Sequence, residues 1–212
     1  MKDWTFKKGF AKKFDSHVRE QLPWYELVTE SVAYIVRNYF PKNGVIYDIG
    51  CSTGNMTLAL KELVFERNGK IIAIDESDEM CDVYKHSTDN LFEVSSCDAI
   101  EHDYKCFDVA ILMLTAMFFP VVQQEKFIDS LYQKMNKGGA IIIVDKCCDE
   151  SGYFSTVMKR LTLYWKLKNG AKAEDVLNKE LSLSGVQRPI NMPKNAKQFF
   201  QLGEFKGWVI EK

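Results

Sequence analysis

The residues whose types and spacing suggest chemistry are three acids that lie at or after the ends of predicted strands. Asp48 lies inside VIYDIGCSTGNMT (45–57), Asp75 ends KIIAID, and Asp98 lies in SSCDAIEHD. A carboxylate at the end of a strand can accept hydrogen bonds from both hydroxyls of a ribose, and a third acid can meet an adenine amino group. The three acids together predict a nucleoside site.

A loop of small residues, GCSTG (50–54), follows the first acid. Gly50 can adopt a backbone conformation closed to other residues, and Gly54 lets the next helix pack closely. The N–H groups of such a loop, beside a helix N-terminus, favour negative or polar groups of a ligand. The loop is neither a dinucleotide fingerprint nor a Walker A loop. The glycine loop and the three acids together suit a nucleoside with a charged amino-acid tail, as in S-adenosyl-L-methionine (SAM).

The three acids can share one site only if a sheet brings the ends of their strands together. The apolar runs are typical of parallel strands buried on both faces, and we predict strands over 45–49, 70–75, 91–95, 108–114 and 140–144. Helical spacing predicts helices over 22–40, 53–65, 77–86, 123–135, 151–169 and 173–183. The alternation indicates right-handed βαβ units with the ligand beyond the carboxyl ends of the strands. Two short strands turning at Gly203-Glu204 would close the sheet.

Composition narrows the class of protein. The chain has 212 residues, 46% of them hydrophobic, which suits one domain with a full core. A formal net charge of -1 gives no strong nucleic-acid signal. The six cysteines form no CxxC pair and the three histidines have no metal-ligand spacing, so we predict no metal site. The sequence shows no signal peptide and no membrane span, so we expect a reduced, cytoplasmic protein.

Four motifs occur in the order found in a known family. VIYDIGCSTGNMT, IIAIDES, CDAIEHD and MNKGGAIIIVDK resemble the successive motifs of class I SAM-dependent methyltransferases. The resemblance implies an α/β fold: a Rossmann-like sheet of seven strands with the last one antiparallel, N-terminal helices, and a helical insertion before the final hairpin. We expect a single domain, 1–212, divided into an N-terminal lid (1–40), a SAM-binding core (41–148), a helical lid (149–195) and a closing hairpin (196–212).

The resemblance also implies roles for individual residues. The loop 50–54 would hold the amino-acid moiety of SAM, Asp75 the ribose, Glu76 and Met80 the faces of the adenine, and Asp98-Ala99 its edge. The full set of expected cofactor-binding residues is Tyr25, Asp48, Gly50, Cys51, Ser52, Gly54, Asp75, Glu76, Met80, Asp98, Ala99 and Thr115.

A narrower resemblance covers residues 3–25. DWTFKKGFAKKFDSHVREQLPWY is similar to the opening of carboxy-SAM synthases, which make carboxy-SAM from SAM and prephenate for tRNA wobble-uridine modification. Their cofactor-contacting tyrosine would correspond to Tyr25. Two residues depart from that group: an asparagine falls near Met113, and a carboxylate-binding arginine falls on or near Glu180, which would repel a carboxylate. Arg188 is a replacement cation nearby in sequence.

The candidate catalytic residues are Tyr25, Asp145 and Arg188, with His17, Thr115 and Lys146 as further groups facing the site. Each has a structural alternative: Asp145 as a helix cap, Lys146 as a solvated residue, His17 as a packed histidine, Arg188 as a surface arginine. We expect a SAM-dependent transferase that methylates a small or polar acceptor.

Two alternatives stay open: a carboxy-SAM synthase-like enzyme, and a non-catalytic SAM or carboxy-SAM binding module. The apolar face of the helix 151–167 would then be its partner surface. The expected ligands are SAM, or carboxy-SAM, and a small-molecule or tRNA-related acceptor, and a homodimer is one assembly left open.

Overall fold

The computed structural model describes residues 11–147 and 152–212. The helices within these residues are α1 (Ala11–Gln21), α2 (Tyr25–Tyr39), α3 (Asn55–Glu66), α4 (Asp78–Ser87), α5 (Val121–Lys134), α6 (Tyr153–Lys168) and α7 (Ala173–Ser182), with a 3₁₀ turn at Ala116–Phe118. The strands are β1 (Val45–Ile49), β2 (Lys70–Asp75), β3 (Glu93–Ser96), β4 (Phe107–Met113), β5 (Met135–Lys146), β6 (Lys197–Leu202) and β7 (Phe205–Glu211). The expected boundary between 148 and 149 lies outside the described residues.

The seven strands form one sheet in the order β3-β2-β1-β4-β5-β7-β6. β1 to β5 pair in parallel, while β7 runs antiparallel between β5 and β6. The predicted fold class, with its antiparallel last strand and its helices before the final hairpin, is therefore confirmed. None of the helices in the described residues is long and apolar enough to cross a lipid bilayer.

Both faces of the sheet are buried, which explains the continuous apolar runs of its strands. Ile46 of β1 packs in the layer that contains Val32 of α2 and Leu60 of α3. The next residue, Tyr47, packs in the opposite layer with Leu131 of α5. Because neighbouring residues of a strand point to opposite faces, a central strand needs apolar side chains at nearly every position.

Two elements differ from the sequence-based expectation. β5 begins at Met135, not Ala140, and includes Gly138 and Gly139. Gly138 has φ +80° and donates its N–H to the Lys212 carbonyl at 2.8 Å, so the segment pairs with the C-terminal end of β7.

α6 also buries an unexpected face. Phe154, Tyr164 and Leu167 are exposed, whereas Thr162 and Lys166 are the buried residues of this helix. The inner face of α6 therefore combines these two polar residues with half-buried apolar ones such as Leu161 and Trp165.

Candidate functional site

A cavity of about 350 Å³ opens at the carboxyl ends of the central strands. Its size falls in the range of small-molecule pockets, roughly 300–1,000 Å³. Eleven of the expected cofactor-binding residues line it: Tyr25, Asp48, Gly50, Cys51, Ser52, Asp75, Glu76, Met80, Asp98, Ala99 and Thr115. Residues that lie far apart in the sequence are thus brought to one space by the strand order.

The glycine loop between β1 and α3 is held tightly by its neighbours. Gly50 has φ +75°, and a β-carbon there would lie 2.3 Å from Thr115 Oγ1. The N–H groups of Gly50 and Cys51 donate to the Ile74 carbonyl at 2.7 and 2.9 Å. The N–H groups of Ser52 and Gly54 are also bonded within the protein, so the loop offers close approach to its backbone and few free donors.

Asp75 is oriented by two backbone donors. Its carboxylate accepts hydrogen bonds from the N–H of Ser52 at 2.8 Å and the N–H of Ser77 at 3.0 Å. A carboxylate has about four lone-pair sites, so acceptor capacity remains for the two hydroxyls of a ribose. Burial raises the pKa of Asp75. Met80, reached by the Ser52 hydroxyl at 3.5 Å, is buried beside it.

Asp48 lies beneath the loop at the end of β1. It is 2% exposed and accepts a hydrogen bond from the Thr57 hydroxyl at 2.8 Å, and the Tyr84 hydroxyl donates to Thr57 in turn. Burial raises the pKa of Asp48 to about 6. With Asp75, Glu76 and Asp98, this carboxyl makes the loop end of the cavity acidic.

The N-terminal helices cover this end of the cavity. Asp15 of α1 accepts hydrogen bonds from the Thr53 hydroxyl at 2.6 Å and the Asn55 amide at 2.8 Å. Asn55 also donates to the Tyr25 hydroxyl at 3.4 Å. Burial raises the pKa of Tyr25 to about 12, so at neutral pH this hydroxyl keeps its proton. Phe14, the neighbour of Asp15 in α1, lines the cavity with Tyr25.

Three expected site residues do not line the cavity. Asp145 is fully buried and accepts from the N–H groups of Met117 at 3.2 Å and Lys146 at 2.9 Å, while burial raises its pKa to about 7. It holds the turn after β4 in place and does not face the ligand space. A β-carbon on Gly54 would meet the Tyr84 ring at 3.0 Å, so this glycine serves helix packing.

Arg188 is the third residue outside the lining. Its guanidinium donates to the carbonyl oxygens of Phe118, Val186 and Gly185, at 3.2, 3.0 and 2.5 Å. These bonds use three of the five N–H donors of the guanidinium and hold Arg188 outside the cavity lining.

The other end of the cavity contains lysines that sequence reasoning missed. Lys166 of α6 and Lys179 of α7 line the cavity together with Lys146 of β5. Lys166 lies four residues after Thr162, the other buried residue of α6, so helical spacing was the available signal. Glu180 lies among these lysines, with Lys166 Nζ 2.9 Å and Lys146 Nζ 3.5 Å from its carboxylate oxygens.

His17 joins this group from α1. Lys179 Nζ lies 3.0 Å from His17 Nε2. Burial and the neighbouring lysines lower the pKa of His17 to about 4, so the ring is neutral at pH 7 and Nε2 can accept from the ammonium. Burial and Lys166 lower the pKa of Lys179 to about 8.

A seven-stranded sheet of this order, with a glycine loop after β1 and an acid after β2, defines the class of SAM-dependent transferases. Residues 46–139 match the family described as a methyltransferase domain. The chain is 31% identical over 202 residues to a carboxy-S-adenosyl-L-methionine synthase of Staphylococcus epidermidis, covering 94% of this chain and 88% of the relative. A synthase of the same name from Escherichia coli is 26% identical over 208 residues, covering 95% and 83%.

Solved structures agree on the fold. A protein of Methanococcus maripaludis described as a SAM-dependent methyltransferase superposes with a TM-score of 0.59 at 19% identity, over 100% of this chain and 96% of that one. Streptomyces venezuelae DesVI superposes with a TM-score of 0.55 at 14% identity, over 69% and 61%. The chain therefore belongs to the class I SAM-dependent methyltransferase family, in the group similar to the carboxy-SAM synthases.

Proposed function

We propose that this SAM-dependent transferase moves a methyl group to a small polar acceptor that lies in the same cavity as the cofactor, within a single domain of the cytoplasm. The observation that carries the proposal is the continuity of the cavity. It runs from the glycine loop and Asp75, past Tyr25 and Thr115, to Lys146 and Lys166. Cofactor and acceptor would therefore meet without crossing bulk solvent.

The residues present fit SAM. Asp75 has free acceptor capacity for the ribose, Glu76, Met80, Asp98 and Ala99 surround the space for the base, and Asp48 supplies negative charge near the loop. When bound, SAM supplies a methyl group on a positively charged sulfur.

The protein's own residues would then position the acceptor and exclude water. The Tyr25 hydroxyl keeps its proton and so can donate to a ligand but not act as a base. His17 is neutral, its pKa is lowered to about 4 and its Nε2 faces Lys179 Nζ at 3.0 Å, so its ring holds Lys179 in position and is too weak a base to take the acceptor's proton. Phe14 and Phe118 add apolar walls that keep water away.

A second candidate is carboxy-SAM synthesis, and the near-full-length relatives of that name favour it. Against it stand Met113 and Glu180, the residues that replace the asparagine and arginine implied by the resemblance. The tRNA-related acceptor belongs to this second candidate.

Isotope transfer tests the proposal. The protein is incubated with methyl-labelled SAM and cell extract, and the nucleoside that co-purifies with it is identified by mass spectrometry. Label appearing in a small acceptor, and absent with Gly50→Val, supports methyl transfer. Bound carboxy-SAM would favour the second candidate, and tight SAM binding without any turnover would favour a non-catalytic binding module.

A further inference from the structure

Methyl transfer to a hydroxyl or an amine needs a group that removes a proton from the acceptor. Such a base must lie within hydrogen-bond reach of the acceptor and must be deprotonated in part at the working pH. The Tyr25 hydroxyl keeps its proton at neutral pH, and His17 is too weak a base. Lys179 of α7 lines the same cavity as these two residues and the glycine loop.

The amine of Lys179 lies against an aromatic ring. Its Nζ is 3.0 Å from Nε2 of His17, which comes from α1. Because the pKa of His17 is lowered to about 4, the ring is neutral and can accept a hydrogen bond from Nζ. A neutral amine has two N–H groups and one lone pair. Lys179 can therefore donate to His17 and at the same time accept a proton from another molecule in the cavity.

Charged groups from four elements of the fold act on Lys179. Burial and the charge of Lys166 in α6 lower its pKa to about 8, and Lys146 of β5 acts in the same direction. Glu180 of α7 and Glu20 of α1 act in the opposite direction. Glu180 also pairs with Lys166 at 2.9 Å and with Lys146 at 3.5 Å, which favours the ammonium form of both neighbours.

These surroundings make a neutral amine available near physiological pH. With a pKa of about 8, about a tenth of the molecules carry uncharged Lys179 at pH 7. A lysine with the ordinary pKa of about 10.4 is almost wholly protonated at that pH. A base whose pKa lies near the working pH combines a useful deprotonated fraction with sufficient basicity.

We propose that Lys179 is the general base of this enzyme, and that the acceptor reacts through a hydroxyl or an amine that carries a proton. The proposal rests on the proposed function, which places SAM at the glycine loop. A lone pair of the acceptor atom forms the bond to the methyl carbon, and Lys179 takes the proton of that atom. The bond from the methyl carbon to sulfur breaks, and its electron pair stays on sulfur. Lys179 then releases the proton to water, so the products are the methylated acceptor, S-adenosylhomocysteine and one proton.

The first experiment measures turnover against pH. The wild type and Lys179→Arg are incubated with methyl-labelled SAM and filtered cell extract from about pH 6 to about pH 9.5. The wild-type rate should rise about tenfold per pH unit and level off above about pH 8, because only neutral Lys179 acts. Arginine keeps the charge but does not lose its proton, so Lys179→Arg should be at least about 100-fold slower and show no inflection near pH 8.

Controls separate a base from a lysine that only supports the fold. Lys172→Arg changes an exposed lysine just before α7 and should turn over as the wild type does. Calorimetry should show normal binding of S-adenosylhomocysteine to Lys179→Arg, and thermal melting reports its folding. Lys179→Ala gives a second test, in which added methylamine should restore label in the wild-type product. Tetramethylammonium, which has no lone pair, should not restore it.

Treating the labelled product with alkali identifies the class of acceptor. Methyl ethers and methylamines keep their label, whereas a methyl ester is hydrolysed and releases labelled methanol. Label released as methanol would overturn the proposal, because a carboxylate is already deprotonated and reacts without a base. A folded Lys179→Arg enzyme with the wild-type rate or the same inflection would overturn the base alone. No transfer by the wild type at any pH would overturn the proposed function, and the base with it.

Discussion

Replacing Asp75 with alanine should weaken cofactor binding by an amount that follows from its contacts. The carboxylate is fixed by the N–H groups of Ser52 and Ser77 at 2.8 and 3.0 Å, which leaves acceptor capacity toward the cavity. Two ribose hydroxyls would each lose a bond worth about 0.5–1.5 kcal/mol net. The expected loss is about 1–3 kcal/mol, or about 5- to 150-fold in affinity.

A double-mutant cycle measures this directly. S-adenosylhomocysteine and its 2′-deoxy analogue are titrated by calorimetry into the wild type and Asp75→Ala. The deoxy analogue has already lost one hydroxyl, so the mutation should cost it less than it costs the parent ligand. Asp78→Ala, an exposed acid three residues later in α4, serves as the matched control and should bind both ligands normally.

The alanine variant also frees two backbone donors, so folding needs its own check. Thermal melts should show a modest loss of stability while the circular dichroism of the sheet persists. An equal loss of affinity for both ligands would mean that Asp75 makes no bond to the 2′-hydroxyl and would contradict the two-hydroxyl contact. Unchanged affinity for both would remove Asp75 from the site.

Three further predictions address the loop, the buried acid and pH. Gly50→Val should abolish S-adenosylhomocysteine binding with the sheet retained by circular dichroism, because φ is +75° and the new β-carbon would meet Thr115; normal binding would disprove the loop assignment. Asp145→Asn should lower the free energy of unfolding in urea by about 1–3 kcal/mol at unchanged ligand affinity, since an amide nitrogen cannot accept from a backbone N–H; lost turnover at full stability would instead restore a catalytic role. S-adenosylhomocysteine affinity should be constant above pH 7 and fall as pH drops through about 6, because Asp48 gains a proton there and loses its charge. The contribution of Asp48 to folding stability has the opposite sign: because its pKa is raised in the folded state, this contribution is complete below pH 3.8 and is lost as pH rises through about 6. A flat calorimetric profile of affinity from pH 5 to 8 would contradict the affinity prediction.

The strands nearest the site could be predicted because each is an apolar run whose two ends are marked by turn residues or by an acid. β1 and β2 have the expected bounds, since continuous apolar runs start after glycine and end at the loop and at Asp75. Ser77 accepts from the Met80 N–H at 3.3 Å and so caps α4, as a serine at the start of a helix commonly does. Local signals sufficed here because turn residues and capping residues act within a few positions.

The end of the cavity that contains the lysines could not be predicted from local signals. Glu180 neutralises Lys166, which lies fourteen residues earlier on a different helix, and Lys146, which comes from the sheet. A pattern of neighbouring residues in the sequence cannot predict ion pairs between side chains this far apart along the chain. The same holds for the bond from the Met117 N–H to Asp145, because Met117 follows β4 and reaches Asp145 only after β4 and β5 have paired.

The position of β7 has a consequence for how the chain folds during synthesis. β5 cannot complete its pairing until Phe205–Glu211 reach it, although the residues of β1 to β4 are made much earlier. Until then, Ile141, Ile142 and Ile143 present an open strand edge of high β-propensity, which is the kind of segment that joins other chains. A chain whose synthesis ends within α6 or α7 would therefore keep an unpaired, aggregation-prone edge on β5.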